Sequence, residues 1–346
     1  MSSKAKAKAK AKAQRDRKKG RTKTSASPKP SAPALRSLLF GGDQSLESWG
    51  LISFVLLALT LAVWGVLAFR PGGALPIWLY SQGRFFLVPI ALGVAVWALV
   101  TVLRRKPVIQ HKRLWPLVAL AGTIGLAPFP VPYPAPRERA PSHASVRFPL
   151  QGSWRVRWAG EGVENNPLVL EPARRFGLVL VREEAGSMLL PGTDPGRPAA
   201  PQDHLGFGLP VLSPVDGIIA GLLESLPDDF ERRAPILGNY VVIRVAAGEY
   251  FWLSGLKRDS VLPEMGDRIA AGDPLASVGA SAARRPTAEP HLAIFMASSP
   301  DPDLAEGIPW QLEAWNQGGR RKGPGMPQGG VDWNGSPRGP VIRPVE

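Results

Sequence analysis

The chain has 346 residues, no cysteine and a formal charge of +14, a length that suits about two modules. Without cysteine, a disulfide scaffold and any cysteine-ligated metal are excluded, while the compartment stays open. Residues 1–36 carry thirteen Lys/Arg against the single Asp16, a net of +12 that leaves only +2 for everything else, so the charge describes a tail and not a folded basic surface.

That tail opens with a Lys-Ala alternation, Lys4 to Lys12, and runs through QRDRKKGRTK into a Ser/Pro segment. It holds too little apolar surface to offset the entropy of ordering, so residues 1–40 are expected to be disordered. Three roles compete. One is a topology signal ahead of a membrane span. Another is attraction to anionic membrane lipids, at about 1 kcal/mol per Lys near the surface. The third is nucleic-acid binding by counterion release. No aromatic residues interleave the charges to stack on bases, so no specific nucleic-acid partner is expected.

Residues 41–131 read as an α-helical membrane anchor. Residues 49–69 and 85–103 are charge-free apolar runs, each long enough to cross a bilayer as a helix. Pro89 lies near the start of the second, where a helix tolerates it. The loop between them carries Trp78 and Tyr80, residue types that favour the membrane interface. A third run, 114–131, is shorter and interrupted by Pro116, Pro128 and Pro130; it is expected to span, with a re-entrant segment as the competing reading. The basic tail and the cluster Arg104, Arg105, Lys106, Lys112 and Arg113 both belong in the cytoplasm by the positive-inside rule. Two spans between them satisfy that condition, and a third would carry the rest of the chain out of the cytoplasm. A cleavable signal peptide fits poorly, because the first apolar run lies far from the N-terminus.

Residues 132–149 are Pro-rich and read as an extended, semi-rigid linker. A strand-like run, SWRVRWAG, follows. From Gly208 to Ala297 the runs PVLSPVDGIIAGLL, GNYVVIRVAAGEYFWLSGL, VLPEMGDRIAAGDPLASVGAS and EPHLAIFMASS alternate apolar with polar or small residues and close on Gly, Asp-Gly or Pro. That pattern predicts short antiparallel strands joined by tight turns, with Gly217 and Gly248 where turns need positive φ. A compact, mainly β domain is expected over residues 150–316. Residues 317–346, rich in Gly, Pro and Arg, are expected to be a disordered tail.

The order Pro-Val-x-Ser-Pro-x-Asp-Gly, Gly-Asn-Tyr-Val-Val-Ile, Gly-Asp-x-Ile-x-x-Gly-x-Pro-Leu and Pro-His-Leu resembles the LytM/lysostaphin-type zinc metallopeptidases, which cut peptidoglycan cross-links. The resemblance covers roughly residues 165–315. It implies an antiparallel β-sandwich of the duplicated hybrid motif type, a bacterial cytoplasmic (inner) membrane as the location of the anchor, and an extracytoplasmic substrate, in agreement with the charge-based topology. It also implies a zinc site with an early His, an Asp about a dozen residues on, and the second His of a late His-x-His, assisted by two further histidines. Aligned on Arg174-Arg175-Phe176-Gly177-Leu178-Val179, this chain has Val179 in place of the Asp and Pro167-Leu168 in place of the early His. In Pro290-His291-Leu292-Ala293, His291 matches an assisting His while Ala293 takes the ligand position, and Gly255 stands where the other assisting His belongs. Val, Leu and Ala offer no side-chain donor to a metal.

The expected function is therefore that of a non-catalytic LytM-like domain, a pseudoenzyme tethered to the membrane. It would bind peptidoglycan or a cell-wall hydrolase, with His291 vestigial and no cofactor. The resemblance implies regulation of other wall enzymes, as family members without zinc ligands can do. The alternative is an active zinc metalloendopeptidase with substitute ligands drawn from His204, Asp203, Glu171, Glu183 and Glu289. A lipoyl/biotinyl-type or sugar-phosphotransferase barrel-sandwich, suggested by SPVDG, ranks lowest. Lys257 lacks the flanking pattern of a carrier lysine, and His291 has no second histidine beside it.

Overall fold

The computed structural model describes residues 47–69, 72–104, 111–194, 196–230, 236–283, 289–332 and 337–345. The basic tail, residues 1–40, lies outside them. Helix α1 (Ser48–Phe69) is followed by the short helix α2 (Ala74–Trp78), one turn of π-helix (Leu79–Gly83) and α3 (Arg84–Arg104). Two helical stretches, Ser48–Phe69 and Ala74–Arg104, are long and apolar enough to cross a membrane. The third apolar run forms α4 (His111–Leu126), a helix of 16 residues, shorter than the roughly 20 that a bilayer core asks for. Its last expected residues are not helical. Phe129 and Val131 turn back across the end of the helices, where their carbonyls accept from Arg84 Nη1 and the Tyr80 hydroxyl.

The helices pack through spaced and mostly small contacts. Trp49 and Leu56 of α1 meet Ala91, Val94 and Ala98 of α3 and Leu120 of α4. Alanine at the seam lets backbones approach closely, the usual device where lipid removes the hydrophobic drive between helices. The hydroxyls of Ser53, Thr60 and Thr123 donate to carbonyls four residues back, which satisfies them inside an apolar bundle.

The remainder is a mainly antiparallel β domain. A ten-stranded sheet has the order β11-β10-β12-β1-β2-β9-β6-β5-β4-β7, and β3 (Pro210–Leu212) pairs with β8 (Pro274–Ser277) in a two-stranded ribbon. The central strands are β1 (Trp154–Trp158), β2 (Leu178–Arg182), β9 (His291–Ala297), β6 (Glu249–Leu256), β5 (Asn239–Ala246) and β4 (Gly217–Leu223), with β7 (Arg268–Ile269) at one edge. Residues at alternate positions share a face. Leu178, Leu180, Leu292, Ile294, Met296, Phe251, Leu253, Val241 and Ile243 thus meet Val211, Leu275 and Ala276 of the ribbon in one buried core. The opposite face carries a second cluster, in which Trp252 stacks on Phe295 (centroids 5.5 Å apart) and Tyr240 tilts against Trp252.

Two expectations about the ends of this domain are corrected. Residues 317–346 are not simply a tail. The chain from Trp315 forms β10 (Trp315–Gln317), β11 (Arg320–Lys322) and β12 (Val341–Arg343), and β12 pairs with β1 so that Trp154 faces Ile342. The Gly/Pro richness marks turns between very short strands, and Ile342, fully buried, is an apolar anchor that composition hides. The 132–149 segment is not a free spacer. Tyr133 is buried and its N–H donates to the Val169 carbonyl at 2.9 Å, while its hydroxyl donates to Glu306. Ser142 and Arg137 both reach Glu249, and Val146 enters the core. Buried against the Glu306 carboxylate, the Tyr133 phenol is pushed far above the usual tyrosine range.

If β12 is part of the fold, Ile342→Ala should cost about 2–4 kcal/mol, the range for emptying a buried aliphatic site. Urea unfolding of the detergent-purified chain, followed by tryptophan fluorescence, measures it. A loss under about 0.5 kcal/mol, the range for surface substitutions, would mean that the tail does not hold the sheet edge.

Candidate functional site

Asn166 fixes the entry to the candidate site. It is fully buried, its Oδ1 accepts from the Leu168 N–H at 3.2 Å, and its Nδ2 donates to the carbonyls of Gly160 and Gly177 at 3.1 Å each. It thereby caps the single 3₁₀ turn Pro167–Leu170 and ties it to the start of β2. Leu168 is held against the sheet. On the sheet, Val179 of β2 lies directly opposite Ala293 of β9 and also opposite Trp158 of β1. Opposed residues of antiparallel strands point to the same side. Leu168, Val179 and Ala293, each at most 2% exposed, close into one apolar cluster with the Trp158 ring packed against it.

The three positions that the resemblance assigns to zinc ligands are thus brought together, and they carry only hydrocarbon. A catalytic zinc needs three nitrogen or oxygen donors and an open fourth position, and this cluster supplies no donor. The residues present do not fit the metal. Among the described residues, no group of three His, Cys, Asp or Glu side chains lies close enough to hold a metal ion.

His291 stands two residues before Ala293 on the same face of β9, opposite Val181. Its Nδ1 lies 2.9 Å from the Glu289 carbonyl; assigning the proton to Nδ1, which then donates, leaves Nε2 as the acceptor. Burial pushes its pKa below the ordinary histidine value, opposed by the bond to Glu289, and the charges of Arg157 and Arg174 add to the downward push. A neutral imidazole near an apolar cluster can accept a hydrogen bond. At the other assisting position, Gly255 has φ +84°, and a Cβ there would come within 2.4 Å of the His291 carbonyl oxygen. Neither histidine nor any other side chain fits without moving β9.

The carboxylates among the possible substitutes are engaged. Glu171 is paired with Arg174, Glu183 with Arg155, Glu289 with Arg157 and Asp203 with Arg197. The Arg197 contact holds the Asp203 carboxyl below its usual range. Releasing one partner of a buried pair leaves an uncompensated charge that costs about 3–5 kcal/mol, most severely for Arg157, which is 3% exposed. His204 is buried elsewhere, edge-on to Phe230 with centroids 5.5 Å apart, and its pKa is lowered chiefly by burial.

Sequence reasoning missed Asn166, Arg157 and Trp158. In SWRVRWAG strict alternation would put Trp158 on the core face with Trp154 and Val156. A bulge between Val156 and Trp158 shifts the register and turns the indole to the opposite face, as an extra residue in one strand does. The Arg157 guanidinium lies 5.3 Å from the Trp158 ring centroid while it holds Glu289.

No protein-family model matches the chain, and no curated protein matches it. Solved structures do. A zinc-containing peptidase from Vibrio cholerae is 19% identical with a TM-score of 0.29, over 49% of this chain and 39% of that one. A chain of the SpoIIIAH–SpoIIQ complex is 14% identical with a TM-score of 0.29, over 47% of this chain and 96% of that one. Helicobacter pylori Csd3 is 12% identical with a TM-score of 0.22, over 46% of this chain and 32% of its own. The chain therefore spans less than half the length of the Vibrio and Helicobacter proteins.

Restoring donors tests the geometry. In the variant Leu168→His, Val179→Asp, Ala293→His the apo-protein should be destabilised, because apolar packing is lost and a buried carboxylate is left unpaired. Added zinc should raise its melting temperature and leave the parent unmoved, since binding to the folded state alone shifts the equilibrium. Equal melting of the variant with and without zinc would show that these three positions do not converge as a ligand set.

Proposed function

We propose that the chain is a membrane-anchored LytM-like domain that has exchanged peptidase chemistry for binding, and that it positions cell-wall material or a wall hydrolase at the membrane surface. The observation that carries this reading is the apolar cluster of Leu168, Val179 and Ala293 under Trp158. The positions that would hold the metal are gathered in space, and their side chains have no donor. Function resides in the site and not in the fold, so retention of the β architecture does not restore hydrolysis. The sealed assisting position at Gly255 and the arginine-bound carboxylates support the same conclusion.

The test uses the full chain in detergent. Purified protein should carry substoichiometric zinc, release no peptides from cross-linked wall sacculi on its own, and either co-sediment with sacculi or alter the rate of an added wall hydrolase. Stoichiometric zinc that is lost in His291→Ala, together with cleavage of sacculi, would establish the metallopeptidase with substitute ligands instead.

In the same reading α4, continued by the extended residues up to Val131, also crosses the membrane, so that the β domain is extracytoplasmic and the basic N-terminal tail cytoplasmic. Two features support this. The basic residues cluster before α1 and between α3 and α4. At the other end of the helices, Tyr80 packs edge-on to Tyr133 beside the domain, with centroids 5.1 Å apart. A reporter active only outside the cytoplasm, fused after Glu346, should be active, and a cytoplasm-dependent one at Ser2 should be active too. Cytoplasmic activity at the C-terminal fusion would remove the wall-related reading altogether.

A further inference from the structure

A cavity of about 850 Å³ lies where the helices meet the β domain, with Ile77, Trp78 and the π-helical turn on one side and Leu237, Tyr240 and Leu304 on the other. Its volume falls within the range of sites that enclose a small organic molecule. It opens on the aromatic face of the sheet that also carries the apolar cluster, because Tyr240 is the residue that tilts onto Trp252. Three large apolar side chains on its walls, Trp78, Ile236 and Leu304, are 50%, 50% and 52% exposed. One comes from the helices and two from the domain.

The polar part of the wall is separate. The π turn presents Ser81 and Gln82, and opposite them stands Arg174 with its carboxylate partner Glu171. Single π turns inside longer helices recur at functional sites. Here the turn interrupts the stretch Ala74–Arg104, which is long and apolar enough to span a membrane. The cavity therefore sits at the end of a candidate span, at the level where Trp and Tyr favour the boundary between hydrocarbon and water.

We propose that this cavity holds one phospholipid drawn from the surrounding bilayer. An acyl chain runs between Ile77 and Trp78 on the helical side and Leu237 and Leu304 on the domain side. The glycerol and headgroup end meets Ser81, Gln82 and the Glu171–Arg174 pair, which together offer donors and acceptors. A lipid fits better than a peptide or a free solute for two reasons. The half-exposed apolar residues belong to both walls, and one of those walls continues into the span. The lipid would then report the state of the membrane to the face of the domain on which the apolar cluster lies. The inference rests on the membrane reading of α1 and α3.

The experiment separates the two claims. The full chain is reconstituted into nanodiscs of phosphatidylethanolamine and phosphatidylglycerol with a trace of phosphatidylethanolamine bearing a diazirine in its acyl chain. After irradiation, adducts are mapped by mass spectrometry. Adducts on outward residues of the helices such as Leu61 and Val96, 54% and 62% exposed, report embedding in the bilayer. Adducts within 236–240 or 302–304 report the cavity. Both sets are expected. The double variant Ile236→Glu, Leu304→Glu changes only exposed positions and should lower the cavity adducts several-fold while the helix adducts stay constant. Labelled helices with no cavity adducts, or cavity adducts indifferent to the variant, would overturn the lipid site and leave the anchor standing. Unlabelled helices would overturn the anchor first and the lipid site with it.

Discussion

The pairing of β2 with β9 is the constraint on which the rest of the structure depends. Leu178 faces Ile294 and Val179 faces Ala293, and a slip of one residue would exchange the two faces of both strands. In the observed register Leu178, Leu180, Leu292 and Ile294 all enter the main core. Val179, Ala293 and His291 are left on the other side, where Trp158 and Leu168 of the 3₁₀ turn pack against Val179 and Ala293. The register thus decides which residues build the main core and which build the buried clusters of the opposite face.

That division bears on the proposal that apolar residues have replaced a metal site at Leu168, Val179 and Ala293. Burying a Leu or Val side chain contributes about 1.5–3 kcal/mol. A carboxylate or imidazole at the same place without a metal would have to be desolvated with no partner, at a cost of several kcal/mol. For a domain that does not use the metal, hydrocarbon at positions 168, 179 and 293 is the more stable choice. The surrounding acids follow the same logic. Glu289, Glu171 and Glu183 each sit with an arginine, so these three charges are neutralised in pairs.

Most of the β fold could be read from alternation and turn residues, although of the two glycines expected at positive φ Gly248 takes that conformation and Gly217 instead opens β4. Val241 and Ile243, and Leu292, Ile294 and Met296, lie where period two places them, on the core face. The resemblance of the flanking motifs also singled out Leu168, Val179 and Ala293, and these pack into one apolar cluster; their descent from a metal site belongs to the proposed function. What could not be read depends on irregularity. The bulge that turns Trp158 outward breaks the period that would have located it, and the extra residue Gly255 between Ser254 and Leu256 of β6 does the same to its strand. The strands β10, β11 and β12 have three residues each, too few to show any period. The Pro-rich segment 132–149 looks like a spacer because proline favours extended backbone. Whether extended backbone floats or packs is decided by single buried residues such as Tyr133 and Val146, and composition averages these away.

The way that segment packs bears on what the domain can reach. A flexible spacer would let a wall-binding domain search away from the bilayer over the contour length of its linker. Here the same residues hold the domain down. Tyr133 joins the helices to the domain, edge-on to Tyr80 on one side and bonded to Glu306 on the other. The carbonyl of Tyr133 accepts from Arg175, and the guanidinium of Arg175 also reaches Glu138 within the segment. Each buried bond of this kind adds only about 1 kcal/mol, but several made by one short segment act together and leave no slack. On the proposed membrane reading, a domain fixed in this way meets what arrives at the membrane surface and does not extend toward a distant polymer. Of the two partners that the proposed function allows, this favours a wall hydrolase held beside the membrane over the wall itself.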